Sequence, residues 1–280
     1  MRPNTSTVLQ LGKQHRAVLA TAVLLLSQPG PARATSVLIF PLADGTIVDA
    51  DNYGGFDSVG DEADWSFNGS GLEIGGVSRS VPDVGARFEY RTVWEYDLTG
   101  AGLSGPVTAW LTFTVKGTTA FLPDADLHIF AYPANLREEL ADFSAGPAVF
   151  ADHVTVAARQ DAAIFSVCVG DVVTAERARG GTAIGFRFQI DPDSPYAASQ
   201  AHVIAKDADD TTKPTLSISL AGDANRDDAV DYDDLGPFTY CMTGPEGAPL
   251  PSCQHLDLDC DGDIDLDDFS RLQSVFGGTQ

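Results

Sequence analysis

The sequence predicts a mainly β protein: a jelly-roll-like β-sandwich followed by a small α module. Three observations carry this. From Ser36 to Leu220 apolar residues recur with period two, the spacing of strands that bury one face. Helix-type patterns there are confined to two short stretches. From Gly222 onward, aspartates alternate with other residues around a few regularly placed apolar positions, the pattern of an oxygen-lined cation loop.

The chain opens with a basic stretch, Arg2, Lys13 and Arg16, then the apolar run Ala17–Leu26 and the small-x-small triplet Ala32-Arg33-Ala34. Residues 1–34 therefore read as a signal peptide, with Thr35 the expected first mature residue and a secreted or cell-surface location. The apolar run is short for a bilayer, so no membrane span is expected. The full chain holds 40 acids against 17 Lys and Arg, a net charge of −23. Without Arg2, Lys13, Arg16 and Arg33 the balance is 40 against 13, or −27. Such a chain lacks the basic surface that phosphate backbones require, which excludes nucleic acid as a partner.

Residues 35–220 are expected to form the sandwich. Strand candidates are Ser36–Phe40, Phe88–Leu98, Val107–Val115, Leu127–Tyr132, His153–Ala157, Ile164–Val169, Ile184–Ile190, His202–Ala205 and Thr215–Leu220. In Phe88–Leu98 the even positions are aromatic, Thr or Leu and most odd ones are charged, which predicts one buried face and one wet face carrying Glu89 and Glu95. In Val107–Val115 the residues Val107, Ala109, Leu111, Phe113 and Val115 form the core side. Trp110 then points outward among Thr108, Thr112 and Thr114, where an indole can stack on a sugar ring; it is the candidate glycan contact, the alternative being that a loop or the C-terminal module, which follows the last strand so closely, covers it. Asn135–Phe143 and Asp171–Arg179 read as short helices, the second stopped by Gly180-Gly181. Asp49, Asp51 and Asp57 read as a turn cluster rather than a structural calcium site. The boundary falls near Ala221 with almost no linker, so the two modules are expected to touch.

Residues 221–280 form the second module. Between 222 and 268 lie 14 acids and a single base, Arg226, a local charge of −13. A twelve-residue calcium loop needs oxygen ligands at positions 1, 3, 5, 9 and 12, a backbone carbonyl at 7, a sharp turn at 6 and an apolar residue at 8. Loop one supplies Asp223, Asn225, Asp227, Ala229 (carbonyl), Asp231 and Asp234, with Asp228 at the turn and Val230 at position 8. Loop two supplies Asp257, Asp259, Asp261, Asp263 (carbonyl), Asp265 and Asp268, with Gly262 at the turn and Ile264 at position 8. Two Ca²⁺ sites are expected, with the side chains of Asp263 and Asp267 surplus and facing solvent. Of the four cysteines, Cys241 and Cys253 bracket a Gly/Pro-rich loop and are the favoured disulfide; the pairing of Cys168 and Cys260 stays open.

The two loops, Gly222-Asp-Ala-Asn-Arg-Asp-Asp-Ala-Val-Asp-Tyr-Asp-Asp-Leu235 and Asp257-Leu-Asp-Cys-Asp-Gly-Asp-Ile-Asp-Leu-Asp-Asp-Phe269, resemble the duplicated repeat of type I dockerins. The resemblance implies a calcium loop and one helix per repeat, and a cohesin-like or other extracellular protein partner. Dockerins usually contact cohesins through positions 10 and 11, which here are Tyr232-Asp233 and Leu266-Asp267 rather than the Ser/Thr pair of cellulosomal dockerins. The sandwich resembles secreted domains of the DNRLRE type and carbohydrate-binding modules. The shared stretches are Ala43–Asp51, Arg91–Leu98 and Lys213–Leu220.

No Gly-x-Ser-x-Gly, His-Glu-x-x-His or P-loop occurs, and His128, His153, His202 and His255 are scattered. The expectation is a secreted, non-catalytic calcium-binding protein whose sandwich binds glycan or matrix. The alternatives are a polysaccharide-degrading hydrolase or lyase with an appended dockerin, and a structural surface or filament component assembled through calcium.

Overall fold

Alternating apolar residues build an antiparallel sheet system in the computed structural model, which describes residues 37–51, 65–67, 74–83, 86–103, 105–116, 125–157, 163–191, 199–204 and 212–276. The predicted signal peptide and Asp57 lie outside these residues. The strands are β1 (Val37–Ile39), β2 (Ala43–Asp51), β3 (Trp65–Phe67), β4 (Ile74–Asp83), β5 (Ala86–Asp97), β6 (Val107–Lys116), β7 (Ala125–Pro133), β8 (Val149–Val156), β9 (Ala163–Cys168), β10 (Ala183–Ile190), β11 (Ser199–Ile204) and β12 (Thr215–Leu220). They run in the order β1-β12-β6-β11-β4-β5-β10-β7-β8, with β2 added on β5, β3 on β2 and β9 on β6.

This arrangement forms two antiparallel layers that share one core. The β6 side contributes Val107, Ala109, Leu111, Phe113 and Val115, all buried in the predicted parity, and β12 adds Leu216 and Ile218. The facing layer contributes Trp94, Leu127, Ile129, Phe186 and Phe188. Trp94 and Phe113 meet across the core at 5.9 Å between centroids, and Phe113 meets Phe188 edge-on at 5.1 Å, the offset geometry favoured by aromatic quadrupoles.

Three strands, β2, β3 and β4, go beyond the sequence prediction. β2 and β4 are rich in Gly, Asp, Ser and Pro, residues of low strand propensity. Pairing along the length of β5 overrides that preference: Ala43–Asp51 runs against Arg87–Glu95. Asp49 and Asp51 therefore lie in a strand rather than in the expected turn cluster, and Asp49 is buried opposite Glu89. The expected helix Asn135–Phe143 is reduced to a 3-10 turn at Leu140–Phe143, after Leu136 adopts a left-handed φ of 64°. The other helix forms as α1 (Gly170–Ala178), with Gly180 left-handed beyond it.

The odd-numbered face of β5 is not wet. Glu89, Arg91 and Glu95 are buried because the connection from β7 to β8 straps across them. Arg91 donates to Glu89 Oε1 at 2.7 Å and to the Phe143 carbonyl at 2.5 Å, its guanidinium 3.8 Å from the centroid of the Phe143 ring. Arg187 donates to the carbonyls of Asp142 and Ala145 at 3.2 and 3.3 Å. Glu95 accepts from the Tyr132 hydroxyl at 3.1 Å and the Arg137 amide at 2.9 Å. Gly185 makes that reach feasible, since a β-carbon there would sit 2.2 Å from the Tyr132 ring. Burial and the nearby Asp142 raise the Glu95 pKa to about 7, and burial and Arg91 lower that of Arg187 to about 10.

Beyond β12 the chain forms a 3-10 turn at Tyr232–Asp234, α2 (Leu235–Cys241), a further 3-10 turn at Gln254–Leu256, and α3 (Leu266–Val275). Leu220, Val230, Phe238, Leu256, Ile264 and Leu272 form its core. Cys241 and Cys253 are joined, and Cys260 is joined to Cys168 of β9, so this segment is covalently tied to the sandwich. Thr108 of β6 donates to the His255 carbonyl at 3.1 Å and Gln254 donates to Ser166 at 3.3 Å. Both regions belong to one compact unit, Arg33–Gln280.

Candidate metal centre

Each loop is built by its own carboxylates folding back on backbone N–H groups. In loop one, Asp223 at position 1 accepts the amides of Asp227 (3.0 Å) and Asp228 (2.9 Å). In loop two, Asp257 accepts those of Cys260 (2.7 Å) and Gly262 (3.1 Å). At position 12, Asp234 takes Ala224, Asn225 and Asp231 at 2.8, 3.0 and 2.8 Å. Asp268 takes Leu258, Asp259 and Asp265 in the same way, the latter two at 3.2 and 2.8 Å. At position 5, Asp227 and Asp261 each accept the amide two residues on, at 3.1 Å in both loops. At position 9, Asp231 and Asp265 do the same at 2.8 and 2.7 Å, capping the turn that follows.

The backbone repeats as closely as the hydrogen bonds. Position 4 is left-handed in both loops (Arg226 φ 61°, Cys260 φ 67°), and so is position 6 (Asp228 φ 71°, Gly262 φ 95°). Position 8 anchors each loop in the core through Val230 and Ile264. Ile264 is further held by Thr243, whose hydroxyl accepts its amide at 3.0 Å and whose amide donates to its carbonyl at 2.9 Å.

Electrostatically the loops are crowded. Asp223, Asp234, Asp257 and Asp268 are at most 3% exposed. Burial, with Asp268 close by, raises Asp257 to about 6. Burial also raises Asp223, Asp234, Asp259 and Asp268. Carboxylate oxygens of Asp257, Asp259 and Asp261 lie within 4.8 Å of one another, as do those of Asp263, Asp265 and Asp268. In loop one the Oδ1 of Asn225, at ligand position 3, is enclosed without a hydrogen-bond partner, its amide nitrogen having donated to Asp227 at 3.0 Å. An all-oxygen donor set with an orphaned carbonyl oxygen fits a hard cation.

One expected solvent-facing residue is not so placed. Asp263 is buried, and its carboxylate accepts the Glu246 amide at 2.7 Å; the insertion between the loops folds back and uses it. Asp267 is exposed. Trp110 is on the outer side of β6 but half-buried, its indole nitrogen enclosed without a partner. Its cross-strand neighbour is Cys168 and the next outward residue is Thr108, both tied to the C-terminal segment, which accordingly lies over this face. His255, beneath Arg226, is pushed down to about 4 by burial and by that charge, so it is neutral at pH 7. The Cys168–Cys260 bond had no local signal, because its partners are 92 residues apart.

No protein-family model matches the chain, and no curated protein matches it.

Proposed function

We infer that each loop binds one Ca²⁺ and that residues 221–280 act as a dockerin-like module on a jelly-roll-like carrier. The observation that carries this reading is the repeated frame: positions 5, 9 and 12 accept the same amides in both loops and position 1 accepts the position-6 amide in both, leaving oxygens gathered in a region poor in basic side chains. Asp223, Asn225, Asp227, Asp231 and Asp234, with the Ala229 carbonyl, would hold the first ion. Asp257, Asp259, Asp261, Asp265 and Asp268, with the Asp263 carbonyl, would hold the second. The ions neutralise the carboxylates and stiffen α2 and α3. The protein is then a secreted, non-catalytic adaptor that presents this module to a cohesin-like or other extracellular protein, while the sandwich serves as a matrix- or polysaccharide-binding carrier.

Calorimetric titration of Ca²⁺ into the EDTA-stripped full chain tests this and should resolve two sites. Loop two is the tighter, having Gly262 at the turn and Asp rather than Asn at position 3. Asp257→Ala should therefore remove the tighter phase and Asp223→Ala the weaker one, each by at least about tenfold, or 1.4 kcal/mol. No calcium-dependent heat, or the reverse assignment, would refute the reading.

A further inference from the structure

The geometry points to a third cation site, on the sandwich, in which Asp126, His128 and Asp191 bind a divalent transition ion of the Zn²⁺ class. Asp126 and His128 stand two apart on the outer face of β7, whose inward residues Leu127 and Ile129 are in the core. Asp191 leaves the end of β10 beside them, fixed by its amide donating to the Asp126 carbonyl at 2.9 Å. His128 Nε2 lies 3.6 Å from Asp126 Oδ2 and 4.0 Å from Asp191 Oδ1, and one ligand atom from each of the three falls within 4.8 Å of the others.

These separations are too long for charge-assisted hydrogen bonds, which close to about 2.7–2.9 Å. They approach the roughly 3.4 Å between ligands of a tetrahedral ion with bonds of about 2.0–2.2 Å. Asp126 Oδ1 is enclosed without a hydrogen-bond partner, so the carboxylate has coordinating capacity that the protein does not use. An imidazole among the donors selects a borderline-soft ion over Ca²⁺.

The strand pairing brings a second imidazole to the same place. His153 of β8 is directly opposite His128, and their rings are 5.9 Å apart. The register then slips, Ile129 pairing with Asp152 and Phe130 with Phe150, which leaves Ala151 as a bulge. Residues three apart on a regular strand face opposite sides. The bulge instead puts both Phe150 and His153 against His128, with the Phe150 ring edge-on at 5.3 Å. A bulge that re-aims side chains in this way is a common device beside binding sites. Here it steadies the His128 ring and sets His153, about half exposed, beside it.

The test uses untagged full-length protein saturated with Ca²⁺, so that loops one and two are filled and their failure or success is read separately. Adding Co²⁺ should produce a visible ligand-field spectrum at one equivalent, displaced by one equivalent of Zn²⁺. His128→Gln and Asp126→Asn should each weaken Zn²⁺ binding by at least about tenfold, with the circular dichroism and the Ca²⁺ isotherm unchanged. Absence of the Co²⁺ spectrum, or Zn²⁺ affinity equal in wild type and His128→Gln, would overturn the proposal.

Discussion

Buried carboxylates occur in two regions of this molecule and are treated in opposite ways. In the sandwich, Glu89 is ion-paired to Arg91, Glu95 receives a hydroxyl and an amide, and Asp142 lies near Arg187. In the C-terminal loops, Asp223, Asp234, Asp257 and Asp268 receive backbone amides only. The single base between 222 and 268, Arg226, is turned toward the Ser252 carbonyl and His255 instead. The sandwich thus sets arginines beside Glu89 and Asp142, whereas those four loop acids face no base, and on the proposed reading a bound cation takes that place. Burying an acid is costly in both places; if the loops take up calcium as proposed, only there can chemistry outside the chain switch that cost on and off.

Stripping calcium is the strongest way to break this contrast. Binding to the folded state alone contributes about 2.7 kcal/mol per site at a hundredfold excess over Kd, so EDTA should lower full-chain stability by about 5 kcal/mol and reduce the helical circular dichroism of α2 and α3. Unchanged spectra and melting in EDTA would mean that the loop acids need no cation.

The tether between the regions comes next. Closing a loop of this length is worth about 4–5 kcal/mol in the chain-entropy model. Cys168→Ser with Cys260→Ser should therefore split one unfolding transition into two, the earlier of them calcium-dependent. A single transition at the wild-type midpoint would show that the noncovalent interface alone couples the regions.

Glu95 sharpens the contrast from the sandwich side. Its folded pKa, about 7, stands above its ordinary 4.5, so the folded state holds the proton more tightly than the unfolded one. Its contribution to stability is full below about 4.5 and is lost as pH rises through about 7. Glutamine mimics the protonated acid: its Nε2 can donate to Tyr132 while its oxygen keeps the Arg137 amide. Glu95→Gln should stabilise the protein at pH 8 by on the order of 2 kcal/mol and change little at pH 4.5. Equal effects at both pH values would contradict the assignment.

The smallest effect separates the two loops from each other. Asp228 occupies a left-handed position that Gly262 fills in loop two. Asp228→Gly should relieve about 0.5–1 kcal/mol of backbone cost and raise loop-one calcium affinity about two- to fivefold. An unchanged or weaker isotherm would make the Asp228 side chain, not its backbone, the deciding element.

What the sequence determined by itself is local. The parity of Val107–Val115, the strands Thr215–Leu220 and Ile184–Ile190, the stop of α1 at Gly180 and the twelve-residue frames of both loops follow from spacing within one element, where each residue's role depends on neighbours a few positions away. The tertiary structure decided whatever depends on distant chain. It recruited the Gly- and Asp-rich β2 and the Gly-, Ser- and Pro-containing β4 to β5, and it buried Glu89 and Glu95 beneath the strap from β7 to β8. It joined Cys168 to Cys260 over 92 residues and laid the C-terminal segment over the face of Trp110. It also gathered Asp126, His128 and Asp191 at the ends of two paired strands. The physical reason is that period and propensity specify which face a side chain takes, while what covers that face is set by segments whose position is encoded nowhere nearby.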